Sequence, residues 1–215
     1  MAFVVAAVLS VAVAEPARTE RRNVESIKIV AIGDSLVAGY GLAQGQAFPA
    51  RLEAALTARG HRVEIVNAGV SGDTTAGGLA RIDWALTDDT DAVILELGAN
   101  DALRGLPAPQ AQANLDAILT RLGERGLPVL IAGMRAPANW GATYQAAFDA
   151  MYPALAERHS TLLYPFFLDG VVQDPNLNQP DGIHPNAQGV EVIVERIVPY
   201  VEELIGRIQN RPTRS

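Results

Sequence analysis

The sequence contains no cysteine. That excludes a disulfide scaffold, a thiolate nucleophile and a Cys-ligated metal, and it suits an oxidising or a reducing compartment alike. Lysine occurs once, as Lys28, against sixteen arginines. Lys28 opens a strand-like stretch that ends at Ser35, and extended chain of that length spans roughly 20 Å, so a Ser–Lys mechanism is nearly excluded. Aromatic residues are only 6% of the chain, which leaves the core to Ala, Val, Leu and Ile. The formal net charge is −7, which argues against sequence-independent binding of nucleic acid or an anionic membrane.

What is present is an alternation. The 215 residues suffice for one α/β domain with a full core. An apolar, β-branched run from Ile27 to Ile32 stops at Gly33-Asp34-Ser35. This is the pattern of a buried parallel strand that delivers one polar side chain at its carboxyl end. Strand-like stretches recur at 62–67, 91–97, 128–134 and 161–164. Helical spacing falls between them, over 46–59, 75–86, 108–125 and 142–158, with a last helix from about 186. The order implies βαβ units and a parallel sheet. Residues 1–14 form an apolar stretch ending in Ala12-Val13-Ala14. They fit a secretory signal peptide and are too short to span a bilayer. No basic residue precedes that stretch, and the competing reading is a hydrophobic helix that stays attached. Residues 15–26 read as a polar lead-in, 27–208 as a single domain and 209–215 as a flexible tail. The expected location is periplasmic or secreted, with no stable membrane anchor.

Polar residues gather at the carboxyl ends of the strands. The first gives Ser35, the second Asn67 and Ser71-Gly72-Asp73, the third Asn100 and Asp101. The fifth leads to the loop with Asp181 and His184. In an open parallel sheet these ends share one edge, where ligands bind. Of three histidines, His61 and His159 fall at the opposite edge and read as solvated connectors; His184 alone is on the functional edge. Ser35 is a helix cap or a nucleophile. Asp181 is a turn former or the orienter of His184, which supplies the base a hydroxyl nucleophile needs. An oxyanion formed in acyl transfer needs donors. The Ser35 N–H, the Gly72 N–H and the Asn100 amide are the candidates, although a turn glycine and a helix-capping Asn would look the same.

GDSL at 33–36, SGD at 71–73, GAND at 98–101 and DGIHP at 181–185 together resemble the four blocks of the SGNH hydrolase superfamily, the GDSL esterases. The similarity lies toward the bacterial thioesterase I/lysophospholipase and arylesterase branch. It implies a flavodoxin-like three-layer α/β/α sandwich with a five-stranded parallel sheet. It also implies Ser35 as nucleophile, Asp181 and His184 completing the triad, and Gly72 and Asn100 in the oxyanion hole. Val37 stands where Ser or Thr is frequent, and Ala136 where a bulkier aliphatic is common, so Ala136 bears on the shape of the acyl groove.

The expected reaction is hydrolysis of carboxylic esters, with thioesters or lysophospholipids as further candidates, through an acyl-enzyme and without metal or organic cofactor. The partner is a small-molecule or lipid acyl-ester substrate. Asp34, Leu103, Leu106, Pro137, Trp140 and Ile183 are the expected substrate contacts. A carbohydrate O-acetyl esterase is the alternative within the same chemistry; it would draw on Trp140 and Tyr144. A non-catalytic flavodoxin-like binding module is the alternative outside it.

Overall fold

The computed structural model describes residues 26–209. Its strands are β1 (Ile27–Gly33), β2 (Val63–Gly69), β3 (Ala92–Leu95), β4 (Val129–Ala132) and β5 (Leu162–Tyr164). All neighbours pair in parallel, in the order β2-β1-β3-β4-β5. Ile29, Val30, Ala31 and Ile32 of β1 are fully buried, as are all four residues of β3 and of β4. This is why these strands read as continuous apolar runs instead of alternating ones: both faces of the sheet are covered.

The cover on one face is α2 (Phe48–Ala58) packed against α7 (Ala187–Gln209). On the other, α5 (Ala108–Glu124) packs between α3 (Thr75–Ala85) and α6 (Ala142–His159). Leu115, Ile118, Leu119 and Leu122 supply the buried stripe of α5. Along α7, Val190, Ile193, Val194, Ile197 and Val201 do the same. The helices on both faces complete the three-layer α/β/α sandwich that the sequence motifs imply. Two short helices, α1 (Ser35–Ala38) and α4 (Ala99–Leu103), follow β1 and β3 directly. The sheet order reverses direction between these two strands, and such a switch point opens a crevice at their carboxyl ends.

Three expectations need adjustment. β2 runs two residues past Asn67 because Gly33 pairs with Gly69 in register, so Asn67 lies within the strand; its amide oxygen accepts from the Gly69 N–H at 3.0 Å. α7 continues through Gln209, the first residue of the stretch read as a flexible tail, and Ile208 just before it packs on the core. His61 and His159 do sit at the opposite edge, but neither is a free connector. His61 Nε2 meets Glu202 at 3.1 Å and His159 Nε2 meets Asp116 at 2.7 Å, which pins each helix–strand junction to a neighbouring helix. The proposed signal peptide falls outside the described residues. Among the described residues no helix is long and apolar enough to cross a membrane.

Candidate active site

Ser35 is the first residue of α1, immediately beyond the end of β1. Asp34, not Ser35, caps that helix: its Oδ1 accepts from the Leu36 N–H at 3.0 Å. The hydroxyl is thereby left for another partner. Gly33 is required for space, because a Cβ there would lie 2.4 Å from Val37 Cγ2 and 2.8 Å from the Glu96 carbonyl oxygen. Gly33 thus permits the close approach of α1 to the sheet, which also accounts for the fully buried Val37.

His184 Nε2 lies 2.9 Å from Ser35 Oγ, across 149 positions of sequence. On its other side, Nδ1 lies 2.6 Å from Asp181 Oδ2. Asp181 Oδ1 accepts from the backbone N–H groups of His184 at 3.0 Å and Ile183 at 2.9 Å. The hydrogen bonds from the His184 and Ile183 amides, and then from the His184 ring, lower the Asp181 pKa to about 2. An ionised carboxylate can only accept, so Nδ1 carries the proton and Nε2 presents its lone pair to the serine hydroxyl. Tyr40 was not visible as a site residue. Its ring lies 4.6 Å from the imidazole, centroid to centroid, and covers one side of it. Gln179 ties the Asp181–His184 loop to the segment that follows Ser35, donating to the carbonyls of Tyr40 at 2.7 Å and Pro185 at 3.0 Å.

Asn100 lies on α4, and its Nδ2 donates to Asp34 Oδ2 at 3.0 Å. One amide hydrogen is thus committed and the other is aimed away from Asp34. Gly72 has φ 85, a conformation that favours glycine. It is the third residue of a turn closed by the Asp73 N–H donating to the Val70 carbonyl at 3.1 Å. The Gly72 carbonyl is taken by Arg104 Nη2 at 3.0 Å. The Ser35 N–H, in the first turn of α1, has no intrahelical acceptor.

A cavity of about 550 Å³ opens beside Ser35, Asn100 and His184. Leu103, Pro137 and Ile183 line it, and so does Ala136. Met134, Phe166, Leu168 and Val172 supply much of the remaining apolar wall, and Arg135 lies over the Phe166 ring at 4.8 Å. Phe166, Leu168 and Val172 were missed because the 165–180 loop shows no periodicity that would orient its side chains. Three expected contacts are placed differently. Trp140 does not line the cavity, and its indole N–H donates to the Ala102 carbonyl at 2.7 Å. Leu106 is outside the wall, and its carbonyl accepts from the Tyr144 hydroxyl at 2.8 Å. Asp34 borders the cavity but is fully buried, with one carboxylate oxygen on the Leu36 N–H and the other on Asn100.

Beneath Asp34 lies a second carboxyl group that sequence reading passed over. Glu96 follows β3 and is fully buried; its Oε2 accepts from the Asp34 N–H at 3.3 Å and its Oε1 has no partner among the described residues. Burial, and then the nearby Asp34, push the Glu96 pKa well above the ordinary value. Burial also raises Asp34, opposed by the Leu36 and Asn100 hydrogen bonds. Two adjacent buried carboxyls do not both ionise readily; the upward shift is the stronger on Glu96, since Asp34 holds the donors.

The profile of the GDSL-like Lipase/Acylhydrolase family matches residues 31–192. The chain belongs to this family. It is 39% identical over 178 residues to "Esterase TesA" of Pseudomonas aeruginosa, covering 82% of this chain and 89% of that one. It is 36% identical over 178 residues to "Thioesterase 1/protease 1/lysophospholipase L1" of Escherichia coli, covering 82% and 84%. Among solved structures, AlinE4, described as an SGNH-hydrolase family esterase, is 50% identical with a TM-score of 0.71, covering 83% of this chain and 96% of that one. As a GDSL-like acylhydrolase, this chain is a hydrolase of the esterase class.

Proposed function

We propose that this protein hydrolyses carboxylic esters of short-to-medium acyl chains through an acyl-enzyme on Ser35. The observation that carries the reading is the continuous relay from Asp181 through His184 to Ser35, at 2.6 and 2.9 Å. His184 Nε2 takes the Ser35 proton as Oγ bonds to the acyl carbon. The carbonyl oxygen becomes an oxyanion that rests on the Ser35 and Gly72 N–H groups and the Asn100 amide, each such donor being worth about 3–4 kcal/mol in the transition state. The intermediate collapses, the bond to the leaving oxygen or sulfur breaks, and the leaving group takes the proton from His184. Water repeats the sequence on the acyl-serine and releases the acid.

The apolar wall of Leu103, Met134, Phe166 and Val172 suits an acyl chain. Esters lead the proposal, with thioesters and lysophospholipids as further substrates of the same site. A carbohydrate substrate is disfavoured, since the Trp140 N–H and Tyr144 hydroxyl already bond backbone carbonyls. Export to the periplasm or outside the cell is proposed on residues 1–14. The test is turnover of p-nitrophenyl acetate, butyrate and octanoate. Ser35→Ala should lower kcat by about 10⁴ or more without unfolding the protein. Undiminished turnover by folded Ser35→Ala removes the assignment.

A further inference from the structure

Arg81 occupies α3, on the far side of the loop from Ser35, and its side chain is mostly buried, at 21% exposure. All three sides of its guanidinium are used. Nη2 donates to the Gly33 carbonyl at 2.9 Å, Nη1 to the Ala68 carbonyl at 2.8 Å, and Nε to Asp73 Oδ2 at 2.6 Å. Gly33 is two residues before Ser35, and Asp73 adjoins Gly72. Ala68 is the penultimate residue of β2. One planar group therefore spans the exits of two strands and the turn between β2 and α3.

The neighbouring bonds converge on the same place. The Gly33 carbonyl also accepts from the Val70 N–H at 3.0 Å, and Val70 opens the turn that holds Gly72. Asp73 is wedged from behind: a Cβ on Gly77 would lie 2.6 Å from its Oδ1. Sheet pairing of Gly33 with Gly69 already aligns the two strands. What pairing leaves undetermined is how the turn beyond Gly69 sits relative to the residue beyond Gly33, and the guanidinium bridges that gap.

We propose that Arg81 is a positioning residue for the reaction: it fixes the Gly72 N–H relative to Ser35 by holding both segments in one rigid fork. The inference rests on the reading of Ser35 as nucleophile and Gly72 as oxyanion donor. A planar fork with donors on three sides is not reproduced by a lysine ammonium, although charge is kept. A small misplacement of a preorganised donor weakens the transition state more than the ground state. The loss should therefore appear in kcat and not in KM.

The experiment compares Arg81→Lys, Arg81→Ala, Asp73→Asn and Ser35→Ala on p-nitrophenyl butyrate, with thermal melts to confirm folding. Reaction of Ser35 with a p-nitrophenyl phosphonate is followed in parallel. Arg81→Lys is expected to lose about 100-fold in kcat, with KM changed less than about threefold and phosphonylation slowed alongside. Asp73→Asn, which keeps the shape of the acceptor, is expected to lose about tenfold in kcat. Millimolar methylguanidinium should restore part of the activity of Arg81→Ala. Folded Arg81→Lys with kcat within about threefold of the parent overturns the proposal, as does a loss that falls on KM. Should Arg81→Lys not fold, Asp73→Asn decides by the same criterion. A fully active Ser35→Ala would instead remove the reading beneath it, and is distinguishable for that reason.

Discussion

Asp34 and Asn100 meet at 3.0 Å, carboxylate oxygen to amide nitrogen, across the gap between the first and third strands. The same carboxylate caps the helix that begins with Ser35. One buried side chain thus sets both the start of the nucleophile's helix and the direction of an amide proposed to hold the oxyanion. Replacing Asp34 by Asn keeps an oxygen for one of those bonds and turns a donor toward the other. Asp34→Asn is expected to lower kcat about 10- to 100-fold with little change in KM, as for a weakened oxyanion donor. Steady-state kinetics across the ester panel reads this directly.

Asp181 governs the tautomer of His184. Asp181→Asn should lower kcat by about 10⁴, because an amide can present a donor to Nδ1 and leave the wrong nitrogen facing Ser35. The native carboxylate has its pKa held down to about 2, so it stays ionised through the ordinary acidic range. Its contribution to stability is present above the unfolded value of 3.8 and is lost as the pH falls toward about 2. Urea midpoints of the parent and Asp181→Asn should therefore differ by a constant amount above about pH 5 and converge as the pH falls to about 2.

Glu96 has the opposite sign. Its folded pKa is raised, so its protonated form is favoured by folding, and stability falls as the pH rises from the unfolded value through the folded one. Glu96→Gln keeps the acceptor for the Asp34 N–H and cannot ionise. At pH 8 it is expected to melt at a higher temperature than the parent, and the gap should narrow as the pH falls. At pH 4 the two proteins should melt together. A pH series of calorimetric melts tests the crossover.

Ala136 is buried in the cavity wall, with its N–H on Asp149 at 2.8 Å and its carbonyl on Gln145 at 3.2 Å. Its backbone is thus fixed and a larger side chain must intrude on the groove. Ala136→Leu is expected to shift the optimum toward shorter acyl chains, lowering kcat/KM for octanoate about tenfold while acetate changes little. The ratio of the two ester rates is the measurement.

The sheet and its helices were legible because buried parallel strands carry no alternation and the helices between them keep a 3.6-residue stripe, as in α5 and α7. Ser35, Asn100, Asp181 and His184 were legible because the topology sends every strand's carboxyl end to one edge. Their distances to one another were not, since they depend on loops whose dihedrals no periodicity encodes. Glu96 was hidden because a glutamate at a strand exit looks solvated until the helices above it are in place. Arg81 was hidden because a lone arginine on a short amphipathic helix reads as surface. Trp140 and Leu106 were assigned to the groove from adjacency; in the fold Trp140 Nε1–H donates to the Ala102 carbonyl and the Leu106 carbonyl accepts from Tyr144.

Ser35 and His184 are supplied by opposite ends of the described chain, one leaving the opening strand and the other entering the closing helix. Gln179 holds the second segment to the first through the Tyr40 carbonyl. Catalytic competence is accordingly a property of chain closure: partial release of the C-terminal segment would silence the hydroxyl while the central sheet still stood. In mild denaturant, turnover should vanish before the far-ultraviolet signal of the strands does, which makes the enzyme its own gauge of whether the last helix is latched.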